Sequence, residues 1–146
     1  MSAYLNIKLK RVYENAQKDD GIRLLADRVW PRGLSKSSFQ YDEWIIDLCP
    51  SHSLRKQWHN GEIDYEIFCE NYRAELKQHR MKINALALTS IQSQITLLTS
   101  VKHPTHSHLA VLRNVILEAT EELHTDTKDS ASHVCYAFLN KKKKTD

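Results

Sequence analysis

Alternation of apolar and polar residues over positions 5–11 predicts a half-buried strand at the start of the chain. Residues 22–27 are more uniformly apolar and predict a second, more buried strand, and the short β-branched run at residues 95–99 predicts a third. Only about eight residues join the first two strands, fewer than a helical crossover needs. These two strands are therefore either antiparallel or not adjacent in the sheet.

Apolar residues at helical spacing predict about five helices. The clearest covers residues 65–79, is capped by Asp64, and has Phe68, Tyr72 and Leu76 along its apolar face. The others are predicted at residues 41–48, 54–59, 82–91 and 107–123. Buried strands interleaved with helices indicate an α/β fold, with three or four strands in a small, mostly parallel sheet.

The length of 146 residues fits one domain, which we place at residues 1–124. Residues 125–132 read as a polar linker, and residues 133–139 have the composition of a small extra strand. Four lysines, Lys141 to Lys144, then give the chain a basic end that we expect to be disordered.

Charge is concentrated in the first part of the chain. The net charge is +3, and residues 1–40 carry eight Lys and Arg against four Asp and Glu. A basic lobe on a nearly neutral body indicates a local anion site rather than a broad nucleic-acid surface. Three scattered glycines exclude a glycine-rich phosphate loop, so the anion would have to be held by side chains.

The three cysteines are far apart, and no apolar signal segment begins the chain. Both features predict a cytoplasmic protein with free thiols, and no membrane partner is expected. His103, His106 and His108 form a histidine-rich segment, but a helix would turn His106 and His108 away from each other. We therefore predict neither a metal nor a cofactor.

A candidate binding site follows from the expected topology, because ligands of open α/β sheets bind beyond the carboxyl ends of the strands. Each predicted strand ends close to at least one cation, and guanidinium groups bind phosphate or carboxylate through paired hydrogen bonds. An indole at the same edge could stack a base or ring. We predict a cleft for a phosphorylated or carboxylated ligand, preferably a nucleotide or nucleic-acid end, with ligand-binding residues Arg11, Arg28, Trp30, Arg32 and Lys102.

Asp27 and His108 are the candidate catalytic residues. Asp27 would orient an arginine or accept a ligand proton, and His108, near a helix N-terminus, would act as a general acid–base. An enzyme with this site would be a hydrolase or transferase acting on a phosphate-bearing ligand. The alternatives are a non-enzymatic module for nucleic acid or protein, and a structural role in which Asp27 pairs with Arg28 or Arg32 and Trp30 closes the core. The oligomeric state stays open.

The same residues carry a family resemblance. Residues 11–13 read RVY, residues 20–36 read DGIRLLADRVWPRGLSK, and residues 49–51 read CPS. Over about residues 5–120 the sequence resembles the YeaO-like proteins of the domain-of-unknown-function 488 family. The resemblance implies a small α/β fold and a cytoplasmic bacterial protein. It implies no established reaction, so the function rests on the site.

Overall fold

Four strands form one sheet: β1 (Ile7–Arg11), β2 (Ile22–Leu25), β3 (Glu43–Trp44) and β4 (Ile95–Thr99). The computed structural model describes the backbone of residues 7–128 and the side chains of residues 7–123. The strand order is β1-β4-β2-β3, and every neighbouring pair is parallel. The prediction of an α/β fold with a small parallel sheet is confirmed.

β4 is the central strand, and all five of its residues are buried. Its Ile95 pairs with Ile7 of β1 on one side and with Ile22 of β2 on the other. A strand hydrogen-bonded on both edges and covered on both faces is expected to be uniformly apolar or β-branched, as this one is. β1 and β2 both run parallel to β4, which lies between them. They are therefore not adjacent, which is one of the two alternatives left open by their short connection.

Four α-helices follow the strands in residues 7–128: α1 (His52–His59), α2 (Tyr65–Leu76), α3 (Arg80–Gln92) and α4 (His108–Lys128). Ser51 caps α1 by accepting a hydrogen bond from the backbone N–H of Leu54 at 3.1 Å. Asp64 caps α2 in the same way, accepting from Ile67 N–H at 2.9 Å. The three apolar residues predicted along α2 are all buried.

The predicted helix at residues 41–48 was wrong, which reduces the expected five helices to four. This segment instead pairs with β2, where Asp42 N–H donates to the Arg23 carbonyl and Ile45 N–H to the Leu25 carbonyl, each at 2.8 Å. A short 3-10 helix, Ile46–Leu48, follows. The apparent helical spacing came from Trp44, which packs on one face of the sheet, and Leu48, which packs on the other.

Alternation along the strands divides the core in two. Leu24 and Leu97 face the helices and pack with side chains such as Phe68, Tyr72 and Leu112. The neighbouring strand residues face the other way and form a smaller cluster with aromatic residues of the segment between β2 and β3. We call this second side the loop-covered face, since chain segments rather than α-helices cover it within the described residues; its apolar cluster comprises Val12, Leu25, Leu98, Trp30, Leu34, Phe39, Tyr41 and Trp44.

An ion network occupies the other end of the loop-covered face. Asp20 is fully buried and accepts hydrogen bonds from Lys10 Nζ at 3.0 and 3.1 Å, and from the Arg23 guanidinium. Burial favours the neutral acid, but hydrogen bonds from the Gln17 backbone and from Lys10 outweigh it and lower the pKa of Asp20 to about 2. Thr96 of β4 donates to the Asp20 carbonyl at 2.7 Å. The network thus ties the connection between β1 and β2 to the central strand.

α4 extends beyond the predicted end at residue 123 and continues to Lys128. The predicted extra strand at residues 133–139 and the lysines 141–144 lie outside the described residues. Within residues 7–128, none of the helices combines the length and the apolar character that a membrane crossing requires.

Candidate functional site

The loops that follow β1, β2 and β4 meet at one edge of the molecule, because parallel strands have their carboxyl ends on the same side. We call this the carboxyl edge and define it as residues 11–14, 26–34 and 99–108. All of the residues predicted as site residues lie on it; His108 is the first residue of α4.

Asp27 links the end of β2 to the end of β4. Its Oδ1 accepts a hydrogen bond from Thr99 Oγ1 at 2.6 Å, and its Oδ2 accepts from the backbone N–H and the hydroxyl of Ser100 at 2.8 and 2.7 Å. Burial raises the pKa of this carboxyl, but the interaction with His108 and the hydrogen bonds from Thr99 and Ser100 lower it below its ordinary value. Asp27 is therefore a buried carboxylate that holds two strand ends together.

His108 lies beside this carboxylate. Its Nε2 hydrogen-bonds the Ala26 carbonyl and lies 3.5 Å from Asp27 Oδ1. A carbonyl oxygen only accepts, so this contact assigns the proton of the imidazole to Nε2. The structure thus brings the two candidate catalytic residues into contact and uses both to fix the start of α4 against the end of β2.

Arg11 is held by the loop that follows β4. Its Nε donates to the Val101 carbonyl at 3.1 Å, and one of its terminal nitrogens donates to the Ser100 carbonyl at 3.2 Å. The guanidinium also lies 5.0 Å from the centre of the Tyr13 ring, within cation–π range. Tyr13 in turn donates from its hydroxyl to the Arg32 carbonyl at 3.0 Å. These contacts connect all three loops of the carboxyl edge.

Arg28 reaches a different part of the molecule. Its Nε donates to the Pro50 carbonyl at 2.9 Å and a terminal nitrogen to the Cys49 carbonyl at 3.1 Å. Arg11 and Arg28 are thus fixed on separate loops, both by carbonyl oxygens that leave their positive charge unneutralised. Among the described residues Asp27 forms an ion pair with neither Arg28 nor Arg32. The structural alternative, in which Asp27 pairs with one of these arginines, is therefore not observed.

Arg32 and Lys102 are exposed, and within residues 7–123 neither side chain forms a hydrogen bond or an ion pair. The exposed acid among residues 11–14, 26–34 and 99–108 is Glu14, whose carboxylate accepts the Arg11 backbone N–H at 2.8 Å. The carboxyl edge therefore carries four cations, Arg11, Arg28, Arg32 and Lys102, against one exposed and one buried carboxylate.

Trp30 lies in the apolar cluster of the loop-covered face. Its Nε1 donates to the Leu34 carbonyl at 2.7 Å, and its ring meets those of Phe39, Tyr41 and Trp44 at centroid distances of 5.8, 5.5 and 5.3 Å. The edge-to-face geometry of these pairs is a favourable packing arrangement. The indole is half-buried, because these rings cover part of its surface.

Sequence reasoning missed Tyr13, the aromatic side chain that the carboxyl edge exposes. It is 47% exposed, the most of any aromatic residue in the described part of the chain. Its position directly after the first predicted strand, within the RVY motif, was the available signal. An aromatic ring at a strand's carboxyl end is as well placed for a ligand as the cations around it.

The Cys49 thiol is buried, and the His106 ring is stacked on another side chain. Burial, together with the charge of Asp27, raises the pKa of the Cys49 thiol to about 12, so it is a poor nucleophile at neutral pH. The ring of His106 stacks on Tyr65 at a centroid distance of 4.0 Å. In the part of the chain that the structure describes, no three His, Cys, Asp or Glu side chains come together in a metal-binding group.

These features define a small α/β protein with a four-stranded parallel sheet and a basic carboxyl edge. A family profile described as the inactive DUF488-N3 subclade matches residues 6–137, and the chain belongs to this DUF488 family. The resemblance to its YeaO-like members is confirmed.

The chain is also similar to individual bacterial proteins. The uncharacterized protein YeaO of Escherichia coli K12 is 44% identical over 108 residues, which cover 74% of this chain and 94% of YeaO. The uncharacterized protein Rv3073c of Mycobacterium tuberculosis H37Rv is 34% identical over 110 residues, covering 75% of this chain and 92% of the relative. No solved structure matches the chain.

Proposed function

We propose that this protein is a non-catalytic cytoplasmic module that binds an anionic group at its carboxyl edge. The anion is a phosphate or carboxylate, and the preferred ligand is a nucleotide or the end of a nucleic acid. The observation that carries the proposal is the pair of exposed cations, Arg32 and Lys102, that have no partner among the described residues and belong to the same carboxyl edge as the fixed guanidinium of Arg11.

The fixed guanidinium favours binding for an energetic reason. Arg11 is already held by two carbonyl oxygens, so little side-chain entropy is lost when an anion arrives. Carbonyl oxygens orient a cation without cancelling its charge, whereas a carboxylate partner would compete with the ligand. Arg32 and Lys102, in the loops that follow β2 and β4, would supply the remaining hydrogen bonds.

Two observations support binding rather than catalysis. Both oxygens of Asp27 already accept hydrogen bonds from Thr99 and Ser100, and the Nε2 proton of His108 is directed to a carbonyl oxygen. Neither group is left free to exchange a proton through these atoms. The family to which the chain belongs is described as an inactive subclade, which agrees with this interpretation.

The second candidate function is a hydrolase or transferase acting on a phosphate-bearing ligand. The 3.5 Å separation of His108 Nε2 and Asp27 Oδ1 favours it, since a carboxylate beside an imidazole is a common acid–base arrangement. The catalytic roles of Asp27 and His108 stay a prediction. Turnover of a phosphate ester that disappears in His108→Gln, with the fold intact, would support this candidate over pure binding.

The proposal is tested by titrating the full chain with inorganic pyrophosphate and with adenosine 5′-monophosphate in a calorimeter. Arg32→Gln and Lys102→Gln should each weaken binding about tenfold or more, because each removes a charge-assisted hydrogen bond. Lys56→Gln is the matched control, since Lys56 is an exposed lysine on α1 and is not one of the residues that form the carboxyl edge. Affinity should also fall as salt is raised. Absence of binding for both probes, or an equal loss in the control, contradicts the proposal.

A further inference from the structure

Tyr13 is held in a fixed position although it is exposed. Its hydroxyl donates to the Arg32 carbonyl at 3.0 Å, and the Arg11 guanidinium lies 5.0 Å from its ring centre. An exposed aromatic ring that is anchored at its hydroxyl end and lies next to a guanidinium provides a rigid flat surface in solvent. Bases stack on such rings in proteins that bind single-stranded nucleic acid.

A surface cavity of about 500 Å³ opens beside this ring. It lies between β1 and the segment that follows it. Its lining among the described residues consists of Lys8, Lys10, Tyr13, Glu14, Asn15 and Gln17. Tyr13 therefore borders this cavity and also contacts Arg11 and Arg32 of the carboxyl edge.

The two lysines of the cavity are already neutralised. Lys10 Nζ donates to Asn15 O at 2.9 Å and to both oxygens of Asp20, which uses all three of its protons. Lys8 Nζ lies 3.1 Å from Asp19 and 3.4 Å from Asp20. With Glu14 also on the wall, the cavity offers no net positive charge and suits an uncharged polar group better than an anion.

The groups left for a ligand are those that recognise the edge of a heterocycle. The Asn15 carboxamide forms no hydrogen bond with another described residue, and it has both donors and acceptors. Glu14 uses one carboxylate oxygen for the Arg11 backbone N–H, so the other is free to accept. A planar ring with exocyclic or ring N–H groups matches this combination.

We propose that Tyr13 is the stacking platform of a nucleoside subsite, in which the base lies over its ring and into this cavity while the 5′-phosphate lies at Arg32 on the other side. The ligand class is a nucleoside 5′-phosphate, either free or as the terminal residue of a nucleic-acid strand. This inference rests on the proposed anion binding at the carboxyl edge and adds a second recognition element to it.

The test measures the affinity of the full chain for three probes: inorganic pyrophosphate, adenosine 5′-monophosphate and a short 5′-phosphorylated oligothymidine. Tyr13→Ala should weaken binding of both nucleotide probes about tenfold, because base stacking is lost, and leave pyrophosphate binding unchanged. Tyr13→Phe keeps the ring and should stay within about twofold of the wild type. Ile67→Ala, which removes an exposed apolar side chain on α2, is the matched control and should change nothing.

Comparison of the two nucleotide probes distinguishes the ligand sources. A higher affinity for the monophosphate indicates a free nucleotide, and a higher affinity for the oligothymidine indicates a nucleic-acid end. Either result supports the subsite if Tyr13→Ala weakens that binding. Should Tyr13→Ala fail to fold, nuclear Overhauser contacts between adenine protons and the Tyr13 ring in the wild type provide the same evidence.

Two results overturn the inference in distinguishable ways. If Arg32→Gln abolishes pyrophosphate binding but Tyr13→Ala binds nucleotides normally and no adenine–Tyr13 contact is observed, the stacking subsite is refuted while the proposed anion site stands. If no probe binds the wild type, both proposals fail together.

Discussion

Replacing Asp27 by asparagine tests whether this carboxylate acts on the protein or on a ligand. The side chain receives three hydrogen bonds of 2.6–2.8 Å from Thr99 and Ser100. Hydrogen bonds to an ionised group contribute about 1.5–3 kcal/mol each, and neutral ones contribute about 1 kcal/mol. Asp27→Asn removes the charge and replaces one accepting oxygen with an NH2 group that cannot accept, so at least one bond is lost and the others become neutral. The change should therefore cost about 3 kcal/mol of unfolding free energy or more.

The assay is urea unfolding of the wild type and Asp27→Asn at pH 7, followed by circular dichroism. Because the folded protein lowers the pKa of Asp27, its carboxylate stabilises the fold above the unfolded pKa and stops doing so as the pH falls through the folded value. The difference between the two proteins should hence shrink below about pH 4. Thr99→Val removes only one of the three bonds and should show a correspondingly smaller loss.

One result would refute this reasoning. If Asp27→Asn changes the unfolding free energy by less than about 0.5 kcal/mol, the range of an ordinary surface substitution, the hydrogen bonds do not hold the strand ends together. A simultaneous loss of ligand binding or turnover would then assign Asp27 to the ligand, as the catalytic hypothesis requires.

Two further predictions concern stability. Asp20→Asn should lower the unfolding free energy at pH 7 by about 3–5 kcal/mol, because it leaves buried cations without a counter-ion. In urea titrations this loss should diminish as the pH falls from about 4 to the folded pKa of about 2, where the wild-type carboxylate is itself protonated. A difference that does not depend on pH would contradict the assigned pairing. Gly21→Ala should cost more than about 2 kcal/mol of unfolding free energy in the same assay, since the residue has φ +65° and a Cβ there would overlap a backbone carbonyl oxygen of the loop before β4. Gly61→Ala, at φ +76° but in open space, is the control and should cost about 1 kcal/mol. Equal losses would show that packing at position 21 is not the cause.

The elements with strong local signals were predictable from the sequence. Asp64 caps α2 as predicted, because capping is decided within four residues of chain. β4 was recognisable as a buried strand because a central strand is covered on both faces. Residues 41–48 were not predictable in this way, since their conformation is decided by pairing with β2, which is distant in sequence.

The same distinction between local signals and contacts distant in sequence applies to the candidate site. The carboxyl edge could be located in advance, because the convergence of strand ends is a property of parallel sheets. The partners of its side chains could not be. Arg28 binds the carbonyls of Cys49 and Pro50, about 20 residues away, and no local pattern encodes a contact with a backbone atom. The burial of Trp30 likewise depends on the rings of Phe39 and Tyr41, from the segment before β3, and of Trp44 in β3.

The short connection between β1 and β2 explains where the candidate nucleoside subsite lies. The chain must return along a strand of about 16 Å and cross two strand spacings, about 10 Å, so it must cover about 20–30 Å including the climb over β4. Residues 12–21 reach that far when extended, at about 3.3 Å per residue, but would cover only about 15 Å as a helix. The connection therefore cannot be an α-helix along its length; its helical part is the short 3-10 helix Lys18–Asp20, and it passes over the loop-covered face. This path lays residues 13–17 beside Lys8 and Lys10 of β1, and the gap left between them is the cavity that Tyr13 borders.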